Sequence, residues 1–407
     1  MNRPLEGVTV VAVEQAVAAP LATRNLADLG ARVIKVERTG DGDLARGYDH
    51  VVHGTGAHFV WLNRGKESLA VDLKSQAGRR VVRRLVDQAD VFVQNLAPGA
   101  SARLGLGADE LRAEHPELVV VDLSGYGVGG PLEQHKAYDM LVQAEAGLIS
   151  ITGTADTPVK TGVPSADIAS GLYAAQAVLA ALLRRFRSGE GASISVSMLE
   201  STLEWMGHAL YTQMSTGAAP PRMGLSHASI APYDSYPTLD GQVLIGVQND
   251  SGWRALVTDV LERPELVDDP RFTTNVGRVA HRSECDAAVA AATATWTTAD
   301  LTDRLARVGI PAAQVKTLDQ VVDHPQLRSR NRWRSVGTEH AADVPALLPP
   351  ATFADVEAAM GDVPALGQHT RALLAEAGLG PDDIDLAIGS GAAWQADRTP
   401  VPAGTGA

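Results

Sequence analysis

Short β-branched runs alternate with helical stretches through the first 130 residues of this chain, and that alternation leaves few folds open. Positions 8–13 read Val-Thr-Val-Val-Ala-Val. A helical pattern follows over 21–29, and Gly30 ends it before Arg32-Val-Ile-Lys-Val-Glu37. An amphipathic pattern over 78–90 leads into Val91-Phe-Val-Gln94, and Leu118-Val-Val-Val-Asp122 comes later. Runs that stay apolar at successive positions suit strands covered on both faces, the condition of a parallel sheet. Strand, helix, strand in repetition predicts an α/β fold on a doubly wound parallel sheet.

The longest apolar helix pattern covers 168–187. Leu172, Ala175, Leu179 and Leu182 recur there at three- and four-residue spacing, and Arg184, Arg185 and Arg187 complement the negative end of the helix dipole. Ser188-Gly-Glu-Gly191 stops this helix, and 192–196 reads as a further strand. Thr216-Gly-Ala-Ala-Pro-Pro221 has the composition of a linker. Beyond it, 236–239 and 242–247 flank Asp240-Gly241, a hairpin signal, with Pro237 confining the first strand to an edge. The expected organisation is a large domain over 1–215, a smaller α+β domain over 225–330, a return to the large domain over 335–389 that carries a helix at 366–379, and a disordered Gly, Ala and Pro-rich tail over 390–407.

The single cysteine, Cys285, rules out an intramolecular disulfide and a thiolate metal cluster. No run reaches the roughly 18 uninterrupted apolar residues that mark a membrane span, so the expected location is the cytoplasm, with no membrane partner. With 35 Lys and Arg against 48 Asp and Glu the formal charge is −13, which disfavours a nucleic-acid partner. A local basic pocket for one small phosphorylated ligand stays open.

Gly125-Tyr-Gly-Val-Gly-Gly130 formally matches a dinucleotide fingerprint. That fingerprint belongs to the first strand-to-helix turn and needs a helix opening straight after it. Here the first turn, Glu14-Gln-Ala-Val-Ala-Ala-Pro20, has no glycine, and Pro131-Leu-Glu-Gln-His135 makes a poor helix start. An NAD-dependent oxidoreductase is therefore a distant alternative, and the glycines read as a tight, mobile loop. His50, His53 and His58 read as solvated loop histidines, because no Cys or Glu completes a metal set. Gly40-Asp-Gly-Asp43 lacks the later glutamate of a calcium loop and reads as a turn. No metal and no permanently bound cofactor are expected. Asp167, in Pro164-Ser-Ala-Asp-Ile-Ala-Ser-Gly171, admits two readings. It could cap the long helix, or it could be a nucleophile, anionic at pH 7 through an ordinary pKa near 3.9 without any partner base. Composition does not choose between them.

Several further motifs now join that one. They are Leu5-Glu-Gly-Val, Leu29-Gly-Ala-Arg-Val-Ile-Lys-Val-Glu-Arg38, Asn63-Arg-Gly-Lys-Glu-Ser-Leu-Ala-Val-Asp-Leu-Lys74, Asn95-Leu-Ala-Pro-Gly99, Arg103-Leu-Gly105, Ser124-Gly-Tyr-Gly127, Tyr138-Asp139, Gln143-Ala144, Thr152-Gly153 and Ala166-Asp-Ile-Ala-Ser-Gly171. In this order and spacing they resemble the family III CoA-transferases. The resemblance implies a Rossmann-like large domain with a smaller second domain, in an interlocked homodimer. It also implies that Asp167 is the catalytic nucleophile, with coenzyme A or an acyl-CoA as substrate. Arg38, Val71, Lys74, Asn95, Leu96, Arg103, Lys136 and Tyr138 match the family's CoA contacts, and Gln15 and Ala18 match residues bordering the reaction centre.

The same superfamily contains α-methylacyl-CoA racemase, the closest alternative activity. Where racemases read His-Asp this chain has Tyr138-Asp139, and a tyrosine with a reference pKa near 10 is a poor base at neutrality. The run of consecutive glycines found in formyl-CoA transferases has no counterpart between Met214 and Gly241. Ser226-His-Ala-Ser-Ile-Ala-Pro-Tyr233 stands there instead and resembles segments of relatives acting on small dicarboxylic acids. On that resemblance His227 and Tyr233 help select a C4–C5 acceptor such as succinate, mesaconate or malate. Whether transfer joins two molecules or two carboxyls of one molecule stays open. The acidic balance is reconciled with a polyanionic ligand only locally, through Arg38, Lys74, Arg103 and Lys136.

Overall fold

A computed structural model of the chain describes residues 3–396. Six strands, β1 (Thr9–Val13), β2 (Arg32–Glu37), β3 (Lys66–Val71), β4 (Val91–Gln94), β5 (Val119–Ser124) and β6 (Ala192–Ser197), form a parallel sheet in the order 3-2-1-4-5-6. The order reverses between β1 and β4. That reversal opens a crevice at the carboxyl ends of the two strands, where doubly wound sheets bind ligands.

Alternate residues feed two cores. Val10, Ala12, Val33, Val93 and Val121 face one layer of helices, and Val11, Val13, Ile34, Phe92 and Val120 face the other. β3 escapes the apolar patterns because Lys66 and Ser68 are polar yet buried in it. The tail expected to be disordered from 390 is corrected at its beginning, since Ala393–Trp394 pairs antiparallel with β3, Ala393 opposite Val71. The rest of that expectation, 397–407, lies outside the described residues.

The long helix runs Ser165–Ser188, three residues earlier than its pattern predicts. Its leucines also turn out differently. Ala169, Ala174, Ala175, Val178 and Ala181 face the core, while Leu172 and Leu179 are 45% and 39% exposed. Gly171 explains the preference for small residues. A Cβ there would lie 2.6 Å from the Ala18 carbonyl oxygen of the helix Ala18–Asp28, so the two helix backbones meet too closely for larger side chains. By length and mean hydropathy of 1.5 this helix could cross a membrane, yet its inner face is part of the sheet's own core.

The chain divides into two compact units. The first runs to Leu148, resumes over Thr161–Gly207 and again from Leu327. The second comprises Ile149–Lys160 and His208–Gln326, so it begins before the expected 225 and takes an excursion from within the 1–215 stretch. Arg222 ties that excursion down by donating to the carbonyls of Ser150, Thr154 and Ala155. Inside the second unit, Tyr233–Pro237 and Gln242–Gly246 form the antiparallel hairpin, with Ala312–Ala313 added alongside. Its core gathers Trp253, Leu256, Phe272, Cys285 and Leu301.

Candidate active site

The site begins where β1 ends. Glu14, the next residue, is fully buried and accepts from Lys66 Nζ at 2.7 Å and from Thr23 Oγ1 at 2.6 Å. Burial alone would raise its pKa; Lys66 and Lys35 outweigh burial and hold the carboxyl below its ordinary value. Lys35 Nζ also donates to Asp43 Oδ2 at 2.7 Å, and Asp43 Oδ1 accepts the Ala16 N–H at 2.9 Å. Ala16 has a φ of 63°, a left-handed conformation that a residue with a Cβ seldom takes. A buried ion network thus fixes an unusual backbone turn at the switch point.

Asn95 clamps the same turn from β4. Its Oδ1 accepts the Gln15 N–H at 3.0 Å and its Nδ2 donates to the Gln15 carbonyl at 2.9 Å. Gln94 donates to Asp122 at 2.7 Å and accepts the Leu96 N–H at 2.7 Å. One residue matched to a CoA site, Asn95, therefore meets Gln15, matched to the reaction centre, and Leu96 follows it directly on the same segment. The Asn95 side chain is committed to main-chain groups of Gln15.

The long helix brings the carboxylate. Pro164 stands at its N-cap without a side-chain acceptor, so the cap comes from elsewhere: Asp139 Oδ1 accepts the Ala166 N–H at 2.8 Å and the Asp167 N–H at 3.2 Å. Asp167 is thus the third residue of the helix and does not cap it. The expectation of an ordinary, fully ionised carboxylate is also corrected. Burial, and then the neighbouring Asp139 carboxylate, push Asp167 up to about 7. Ile168 packs with Val17, Leu21 and Leu62, and Gly171 abuts Ala18, so the first turns of this helix lie against the switch-point turn.

Tyr48, which no sequence motif singled out, borders this point. The Tyr48 hydroxyl is raised by burial and by Asp43, Asp167 and Tyr138. His58 lies edge-on to Tyr48 at 5.7 Å and to Trp61 at 6.3 Å. His58 is corrected from a solvated loop residue to a half-buried one on the helix Ala57–Asn63, its Nδ1 buried without a partner among the described residues. Only the close spacing of tyrosine, histidine and tryptophan after Asp43 could have signalled this group.

The four cations follow four successive strands of the first unit. Arg38 comes directly after β2, Lys74 after β3, Arg103 after β4 and Lys136 in the loop after β5, so all belong to the carboxyl edge of the sheet, and all are exposed. Arg38 Nε donates to the Gly42 carbonyl at 2.8 Å, and Arg103 donates to the Pro98 carbonyl at 3.5 Å. Val71 is buried in the sheet core, whereas Tyr138 is 68% exposed beside Asp139. His227 and Tyr233 belong to the second unit, where their rings stack at 5.3 Å and the His227 N–H donates to the Tyr233 carbonyl. The glycine motif after β5 opens no helix; Gly127, Gly129 and Gly130 take positive φ in a turn.

Comparison with known proteins meets this geometry. A family profile described as CoA-transferase family III matches residues 5–370. The succinyl-CoA:glutarate CoA-transferase of Mus musculus is 34% identical over 377 residues, covering 92% of this chain and 86% of that protein. The succinyl-CoA–D-citramalate CoA-transferase of Chloroflexus aurantiacus is 33% identical, covering 95% and 96%. The crystal structure of a CAIB/BAIF family protein from Brucella suis superposes with a TM-score of 0.80 at 35% identity, over 93% of this chain and all of that one. With a switch-point turn and a helix-borne carboxylate inside the matched span, this chain belongs to the family III CoA-transferases and is an enzyme of that class.

Proposed function

We propose that the chain moves CoA from an acyl-CoA thioester to a small C4–C5 dicarboxylate such as succinate, mesaconate or malate, with Asp167 as nucleophile. The observation that carries this reading is the Asp167 carboxylate, half-buried and raised to about 7, on a helix start packed against the switch-point turn. An Asp167 oxygen attacks the thioester carbonyl carbon, the C–S bond breaks, and its electron pair leaves on sulfur as CoA thiolate. The thiolate then attacks the Asp167 carbonyl of the mixed anhydride, freeing the donor acid and leaving an enzyme–CoA thioester. The acceptor carboxylate repeats the first step on that thioester, and the thiolate takes the acceptor acyl group away. Each step passes an oxyanion-like state that nearby backbone N–H groups can stabilise.

The relatives named for glutarate and citramalate support a dicarboxylate acceptor. On this reading the stacked His227 and Tyr233 contribute to acceptor choice, the four edge cations hold the CoA phosphates, and the glycine turn 125–130 helps exclude water. The same reading proposes a homodimer acting in the cytoplasm. Leu172, Leu179, Leu183 and Phe186 form one exposed face of the long helix, and a cavity of about 970 Å³ lined by Leu172, Arg24, Arg332 and Phe353 supports a second copy as what covers it. Sedimentation at the mass of one chain counts against the dimer.

The test of the reaction is incubation with pairs of acyl-CoA and acid, followed by hydroxylamine trapping and peptide mass analysis. An adduct on Asp167 is expected. Undiminished exchange by Asp167→Ala sinks the mechanism, and solvent deuterium entering the α-carbon of a 2-methylacyl-CoA without exchange favours the racemase.

A further inference from the structure

A helix start normally stabilises an anion through its free N–H groups and its dipole. At Ser165–Ser188 the expected beneficiary would be Asp167, in the first turn. Asp139 takes that place instead. One of its oxygens holds the N–H groups of Ala166 and Asp167, and the other accepts Gln143 Nε2 at 2.6 Å. Gln143 is itself anchored, its Oε1 accepting the Thr161 N–H and hydroxyl, each at 3.1 Å. The carboxylate of Asp139 is therefore fixed beside Asp167 by groups on two segments. The helix start also packs against Val17, Leu21, Leu62 and Ala18, which carry no charge, and Tyr48, which feels the Asp167 carboxylate, supplies no positive charge.

We propose that Asp139 is a positioning residue that turns this helix start from an anion-stabilising end into an anion-repelling one, and so favours acylation of Asp167. The proposal rests on Asp167 being the nucleophile. Attack moves the negative charge from Asp167 to the departing CoA sulfur, so the mixed anhydride is neutral and the repulsion with Asp139 ends. The repulsion returns only when Asp167 is regenerated. Occupied N–H groups and a like charge also make the free carboxylate more basic, and a more basic carboxylate is the better nucleophile once ionised.

Asp139→Asn separates this role from simple capping, because it keeps an oxygen acceptor and drops the charge; Asp139→Ser is the second variant should the amide disturb the fold. Two measurements apply. One is a 13C NMR titration of aspartate carboxyls, with Asp167→Asn assigning the resonance. The other is single-turnover acylation by succinyl-CoA without acceptor, followed against pH. The Asp167 midpoint is expected to fall by about one pH unit or more. The acylation profile should shift with it, the plateau rate at high pH should drop about threefold to tenfold, and thermal stability should change little. An unmoved midpoint, or an unchanged plateau, overturns the proposal. Absence of any Asp167 adduct in the parent instead counts against the transfer reading, and the NMR midpoint still decides on Asp139.

Discussion

Glu14 is a fully buried carboxylate and Asp167 a half-buried one, and their surroundings drive them in opposite directions. Glu14 sits between Lys66 and Lys35 and is held ionised. Asp167 sits beside Asp139 and is pushed up to about 7. Glu14 is the more buried of the two, so burial does not set the direction of the shift. The sign of the nearest neighbour decides. Around Glu14 every charge is matched, and the network holds the Ala16 turn rigid. Around Asp167 the nearest charge is a like one, the kind of perturbed environment that marks a candidate functional carboxylate.

The comparison breaks most visibly at Asp167. Replacing it with Asn should lower CoA exchange by on the order of 10⁴-fold or more, measured as steady-state turnover with succinyl-CoA. The same variant tests the sign of the shift. Asp167 binds its proton more tightly folded than unfolded, so its contribution to stability is present below about pH 4 and lost as pH rises through about 7. Asp167→Asn should then unfold at higher denaturant than the parent at pH 8 and at the same denaturant at pH 4. Parent acylation should run the other way, rising with pH through about 7, because only the carboxylate attacks.

Breaking the matched side should instead cost stability. Glu14→Gln leaves Lys66 facing a neutral group in the core while Lys35 keeps Asp43, with an expected loss of about 3–5 kcal/mol by urea unfolding. A smaller loss, of about 1–3 kcal/mol, is expected of Gly171→Ala, whose methyl would meet the Ala18 carbonyl and pry the Asp167 helix from the switch-point turn. The smallest effects belong to the exposed cations. Arg38→Ala, Lys74→Ala, Arg103→Ala and Lys136→Ala should each raise the KM for acyl-CoA by about tenfold or less, and that difference should shrink at high salt.

Strands β1, β2, β4 and β5 were legible because continuous apolar runs have no other stable use in a chain of this kind. β3 was not, since Lys66 and Ser68 look exposed until Glu14 and Glu37 are seen to take their hydrogens. Leu172 and Leu179 read as core by spacing, and they face outward because Gly171 and its alanine neighbours are what fit against Ala18. The site divided in the same way. Asp167 stood out by its place before an apolar run, whereas Asp139 as the cap of its helix, and Tyr48 with its ring partner His58, come from segments far apart in the chain.

The order of residues by itself determined the parallel α/β sheet and the family, and singled out Asp167 as the candidate carboxylate, because apolar periodicity and ordered motifs are local properties of a chain. Only the tertiary structure decided the state of that carboxylate. A pKa depends on which charges lie within a few ångströms and on how much water remains, and Asp139 reaches Asp167 across 28 positions of sequence.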